Sequence, residues 1–205
     1  MHLTAPVGTT FQYSNLNYVT LGLIVQVVSG EPYGTYIERH IFAPLGMRDS
    51  FASPPAAHQP GLATPYHRIF GMPLPGVLPF NESILPAGSL ISSADDLTRY
   101  LTAQLNEGMY EGGSVLSPSG VAELHRPAAA MPGGDQHYAM GWIESLAGGQ
   151  ATLWHSGVTT FGFESYMLLV PARHIGVVVL ANAYSLGADD FADPLGTMAQ
   201  GDRGH

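Results

Sequence analysis

Two short stretches of this 205-residue chain carry side chains that could do chemistry. The first is Tyr13-Ser14-Asn15, which follows Pro6-Val7-Gly8-Thr9-Thr10-Phe11-Gln12 and leads straight into a helical pattern. A phenol and a carboxamide two residues apart at a loop-to-helix junction can point the same way. The phenol can move a proton if its pKa is lowered. The carboxamide offers a donor and an acceptor to an amide substrate. A plainer reading of the same residues makes Asn15 a helix cap and Tyr13 a core residue. The second stretch is Trp154-His155-Ser156-Gly157-Val158, at the end of a predicted strand. Glycine there lets a ligand approach the backbone closely, and the N–H that follows can serve in an oxyanion hole. The plainer reading is a surface histidine at a strand end.

Other chemistries are excluded by composition. All seven basic residues are arginine, so no step can use a lysine as base, nucleophile or Schiff-base former. There is no cysteine, which removes disulfides, thiol catalysis and cysteine-bound zinc. The nine histidines form no H-x-H or H-E-x-x-H pair, so neither a metal nor another cofactor is expected. A formal charge of −9 argues against nucleic acid and against an anionic membrane surface as partners. Residues 1–10 lack the charged start and apolar run of a secretory leader. The longest apolar runs, 21–28 and 176–183, are too short to span a bilayer.

These residues need elements to hold them. With 45% hydrophobic and 11% charged residues the chain can bury a core. Leu16, Val19, Leu23, Ile24 and Val27 recur at helical spacing and predict an amphipathic helix that ends at Ser29-Gly30. Pro32 opens a second helix with Tyr36, Ile37 and Ile41 facing inward, and Pro44-Leu45-Gly46-Met47 breaks it. Residues 52–86 are proline-rich and aperiodic, and are expected to form a long surface excursion. Ser93 caps a helix that carries Asp95 and Asp96 in its first turn and runs to Gly108. Ser117-Pro118 starts a short helix with Val121 and Leu124 inside. Strands are predicted at 138–143, 152–156, 163–170 and 175–181, in an antiparallel sheet. Residues 175–180 are almost wholly apolar, so that strand is expected to be central and covered on both faces. The fold class is α+β, an α/β sandwich. Residues 1–184 are expected to form one domain, helical and looped over 1–137 and stranded over 138–184, with 185–205 as a polar, disordered tail.

In this order the motifs resemble the serine β-lactamase-like group, which includes class C β-lactamases, D,D-peptidases and related esterases. The resemblance rests on Phe11-x-Tyr13-Ser14-Asn15, Leu21-Gly22 and Ile41-Phe42-x-Pro44-Leu45-Gly46-Met47. It continues through Pro86-Ala87-Gly88-x-Leu90-x-Ser92-Ser93-Ala94-x-Asp96-Leu97 and Gly141-Trp142. It closes with His155-Ser156-Gly157, Phe161-Gly162-Phe163 and Gly176 to Leu180 with Asn182. The resemblance implies a partial β-lactamase/D,D-peptidase-like fold and serine-type acyl transfer on a small amide or ester. It implies that Tyr13 is the proton-shuttling phenol and Asn15 a substrate binder. His155, Ser156 and Gly157 would form the strand wall, and the Val158 N–H would supply half of the oxyanion hole. His155 stands where many members carry lysine, which tilts the reading towards esterase-like or peptidase-like members.

The chain departs from the family at the nucleophile. The family's Ser-x-x-Lys precedes Tyr-x-Asn by a long interval, whereas twelve residues precede Tyr13 and none of the 205 is lysine. A phenol with an ordinary pKa of about 10 needs nearby positive charge to ionise near neutrality, so Tyr13 is expected to stay protonated. The chain alone is expected to be inactive, and the strand over 175–181, which the resemblance implies would pair with a strand of the missing segment, is expected to leave an apolar edge open. Its expected partners are a complementary N-terminal fragment or further copies of itself. The alternatives are a non-catalytic relative that binds a ligand or a partner, and a truncated gene product.

Overall fold

The computed structural model describes residues 5–52, 61–77, 80–147, 149–159 and 162–183. The expected tail, 185–205, lies outside them, as does Phe161 of the quoted motif. Helix α1, Asn15–Ser29, stops at Gly30, whose φ of 73° is the left-handed conformation that glycine tolerates without strain. Helix α2, Tyr33–Ile37, widens into a π-helical turn over Glu38–Phe42. There the Ala43 N–H reaches back five residues to the Glu38 carbonyl.

The described part of the long excursion contains regular structure. Strands β1, Tyr66–Ile69, and β2, Met72–Pro75, pair as a hairpin whose turn, Phe70-Gly71, has φ of 50° and 81°. Two positive φ values match the two-residue turns that suit strand twist. The prolines at 73 and 75 mask the strand in the sequence, yet proline is tolerated where a strand has a free edge. A short 3₁₀ turn, Glu82–Ile84, leads into helix α3, Leu85–Gly88.

Helix α4, Ala94–Leu105, begins as the sequence predicts, with the Ser93 hydroxyl accepting the Asp96 N–H. Asp96 is buried, and its Oδ2 accepts from the Asp49 N–H at 2.7 Å and the Ser50 hydroxyl at 2.8 Å. Those bonds tie the loop after α2 to the start of α4 and account for the buried carboxylate. A small hairpin, β3 (Met109–Tyr110) and β4 (Gly113–Ser114), separates α4 from helix α5, Pro118–His125. Ser117 caps α5 through the Gly120 N–H.

The main sheet has six antiparallel strands: β5 (Ala129–Ala130), β6 (Gln136–Tyr138), β7 (Ile143–Ala147), β8 (Gln150–Thr159), β9 (Phe163–Val170) and β10 (Ile175–Ala181). Their spatial order is β10-β9-β8-β7-β6-β5. The single strand predicted over 138–143 is instead the end of β6, a reversal, and the start of β7. Gly141 makes the reversal at φ 79°, and Ala139 and Trp142 on either side enter the core.

The other correction concerns β10, which lies at the end of the sheet rather than at its centre. No strand of the sheet pairs with its outer edge among the described residues. Its apolar composition has a different cause. Val178 packs with Leu101 of α4 on one face, and Ile175, Val177 and Val179 pack beside Tyr166, Leu168 and Val170 on the other. Gly176 lets α4 come close, since a Cβ there would lie 3.2 Å from the Leu101 Cβ. Its composition shows two apolar faces but not its place in the sheet, whereas the open edge is the one expected for 175–181 from the resemblance.

Candidate active site

The first turn of α1 and the far end of β8 meet beside the end of β6. Tyr13 lies just ahead of α1, and its hydroxyl donates to Asn15 Oδ1 at 3.2 Å. Asn15 is the first helical residue; Ser14 holds the cap position without making a side-chain cap bond. Tyr13 is half exposed, so neither half of the plainer reading of this stretch describes the structure. Its ring centroid lies 6.2 Å from that of His155 and 6.1 Å from that of Tyr138.

His155 is fixed at both ring nitrogens. Nδ1 lies 2.7 Å from the Ser156 carbonyl oxygen and Nε2 lies 3.3 Å from the Tyr138 hydroxyl. Tyr138 also accepts a hydrogen bond from the Tyr18 hydroxyl at 3.0 Å. Phe11 packs on the Tyr138 ring, with centroids 5.4 Å apart. Burial pushes the His155 pKa down against a smaller opposing effect of the Ser156 carbonyl, so the ring is neutral at pH 7. Burial, followed by the neighbouring Tyr18, pushes the Tyr13 phenol above its ordinary range. Tyr138 is pushed up further, by burial first and then by its bond to Tyr18. Tyr13 and Tyr138 are thus protonated phenols beside a neutral imidazole.

Strand register sorts the rest of the stretch. Gly157 pairs with Ser165 and His155 with Met167, so alternation puts these four on one face. Ser156 pairs with Tyr166 and Val158 with Glu164, which turns those side chains to the opposite face. Ser156 therefore meets the site through its carbonyl. Pairing of β8 with β7 stops at Trp154, whereas pairing with β9 continues to Thr159. Residues 155–159 thus have a strand neighbour on one side only among the described residues.

Sequence reasoning singled out Tyr13, Asn15, His155, Ser156, Gly157 and Val158 but missed Tyr18 and Tyr138. Tyr18 had a usable signal: it sits three residues after Asn15, on the same helical face. Tyr138 had none, because its partners lie 120 and 17 residues away. Among the described residues no group of three or more metal-ligating side chains is close enough to hold an ion.

The beta-lactamase family profile matches residues 1–200. The chain belongs to the beta-lactamase family. Its relatives include Protein flp of Staphylococcus aureus (strain MW2), 32% identical over 203 residues. That match covers 93% of this chain and 37% of the relative. Another is the unguisins hydrolase ungD' of Aspergillus campestris, 28% identical, covering 89% of this chain and 35% of the relative. The chain therefore spans little more than a third of the length of these relatives. Among solved structures it resembles the octameric penicillin-binding protein homologue from Pyrococcus abyssi, with a TM-score of 0.85 and 29% identity over 97% of this chain and 44% of that one. A class C beta-lactamase has the same fold, with a TM-score of 0.81 at 20% identity over 100% of this chain and 61% of that one. The mixed helix and antiparallel-sheet class read from the sequence is that of the beta-lactamase and penicillin-binding-protein fold.

Proposed function

We propose that this chain forms one wall of a serine-type acyl-transfer site that hydrolyses a small amide or ester, with the nucleophile supplied by polypeptide outside these 205 residues. The observation that carries the reading is the convergence of Tyr13, Asn15 and His155 from two distant parts of the chain beside an open strand edge. In this reading Tyr13 relays the proton of the attacking serine and Asn15 binds the substrate amide. His155, Ser156 and Gly157 line the wall, and the Val158 N–H gives half of the oxyanion hole. An ammonium from the incoming segment, placed beside Tyr13, would bring its phenol down towards neutrality and start the relay.

Helix α1 supports the same reading. Leu21, Leu23, Ile24, Val27 and Val28 are all more than half exposed, and Gly22 is the helix's buried residue. Such a row fits burial against a second, apolar segment, and we assign that place to the segment bearing the nucleophile. The second reading of this face is self-association, since a structural homologue is octameric.

The test is covalent labelling. The full polypeptide encoded by the locus, including any in-frame sequence upstream of Met1, is treated with a fluorophosphonate or a penicillin and weighed intact. The expected result is one acyl adduct on a serine outside these 205 residues, and no adduct on the 205-residue chain alone. Tyr13→Phe should slow p-nitrophenyl acetate hydrolysis by about 100-fold or more. An adduct within residues 1–205, or full activity in Tyr13→Phe, would overturn the reading.

A further inference from the structure

We infer that Tyr138, backed by Tyr18, is a positioning residue that, together with the Ser156 carbonyl, holds His155 in one tautomer by occupying its Nε2 lone pair. The inference deepens the proposed function by assigning two residues to the same site, but it stands on hydrogen-bond directions alone. The Ser156 carbonyl can only accept, so Nδ1 of His155 must carry the proton in the 2.7 Å bond between them. In the neutral ring Nε2 is then an acceptor. The Tyr138 hydroxyl, 3.3 Å away, donates to it. Having spent its own proton there, Tyr138 accepts from the Tyr18 hydroxyl at 3.0 Å. Each of the two tyrosine hydroxyls donates once, and the directions run one way, from Tyr18 through Tyr138 to His155.

The arrangement also links parts of the fold that share no strand pairing. Tyr18 stands on α1, Tyr138 at the end of β6 and His155 on β8. A segment that seats on α1 would thus set the position of Tyr18 and, through it, the order of the imidazole. Phe11 and Tyr13 pack against the Tyr138 ring, so replacing its hydroxyl alone leaves the ring contacts in place.

The experiment is a nitrogen-15 NMR measurement of the His155 ring in the uniformly labelled chain at pH 7.5, with Tyr138→Phe and Tyr18→Phe beside the unchanged protein. The expected wild-type result is a protonated Nδ1 and an unprotonated Nε2. Tyr138→Phe should move the Nε2 signal towards the average of the two tautomers. Tyr18→Phe should move it in the same direction by less. A wild-type ring protonated at Nε2, or a tautomer unaltered in Tyr138→Phe with the backbone spectrum preserved, would overturn the inference. If Tyr138→Phe fails to fold, Tyr18→Phe decides: a shifted Nε2 signal supports the relay and an unmoved one rejects it. The readout does not involve hydrolysis, so failure of the proposed function leaves it interpretable.

Discussion

Helices α1 and α4 are of similar length, 15 and 12 residues, and they end in opposite states. Helix α4 has a serine cap, two acidic residues in its first turn, and Leu101, Ala103 and Gln104 buried beneath it. Its central leucine packs with Leu153 and Leu169 of the sheet. Helix α1 has no side-chain cap bond and no acidic first turn, and its buried residue is a glycine set against Pro86. The more apolar helix is the less covered one. Periodicity reports which residues want burial; the neighbours decide whether they get it.

The largest effect that sharpens this contrast is expected in α4. Leu101→Ala removes a side chain 2% exposed and should cost about 2–5 kcal/mol in urea unfolding. Val27→Ser on α1, at 81% exposure, should change stability by less than about 0.5 kcal/mol. A comparable loss at both positions would mean that α1 is covered in solution, and the contrast would fail. Next comes Gly22→Ala. Its Cβ would fall 2.2 Å from the Cγ of Pro86, inside a ring that cannot rotate away, so α1 must lift from α3. A cost of about 1–3 kcal/mol is expected. Amide exchange should speed up across α1 while α4 stays protected; an equal loss of protection in both would make them one cooperative unit.

What could be read from the sequence follows the same divide. The caps at Ser93 and Ser117 and the left-handed Gly30 were legible because each depends on residues within four positions. So was the pairing of Tyr13 with Asn15, two residues apart. The edge position of β10 was not legible in its composition, since an apolar strand with two packed faces reads the same at the centre or at the end of a sheet; only the resemblance pointed to an open edge there. The β1–β2 hairpin was hidden by two prolines and by Phe70 at positive φ, where glycine or asparagine is usual. The Tyr18–Tyr138–His155 relay was hidden because no local rule joins residues 120 apart.

A pH titration separates the two regions by a smaller effect. Burial holds His125, which bonds Gln104 of α4 at 2.8 Å, below its ordinary pKa, and holds His155, on the α1 side, below its own. The unfolded chain then binds protons, near its pKa of about 6.5, that the folded chain does not. Stability is therefore full above about pH 6.5 and is lost as pH falls towards the depressed folded values. Each group contributes a slope of at most about 1.4 kcal/mol per pH unit. His125→Gln should flatten the fall in Tm between about pH 7.5 and 5.5. An unchanged slope would show that His125 is not held neutral against α4.

The smallest predicted difference compares the two helix starts directly. Ser93 accepts the Asp96 N–H at 3.2 Å, whereas Ser14, also in extended conformation at its helix start, makes no such bond. Losing a working cap costs about 1 kcal/mol, so Ser93→Ala should lower the urea midpoint while Ser14→Ala leaves it nearly unchanged. Asp95 and Asp96 add a favourable charge at the α4 start that α1 lacks. Salt should therefore weaken the α4 start and have little effect on the start of α1. If Ser14→Ala costs as much as Ser93→Ala, Ser14 caps α1 in solution. The first turn that carries Asn15 and Tyr18 would then hold itself together, without the sheet or a docked segment to support it.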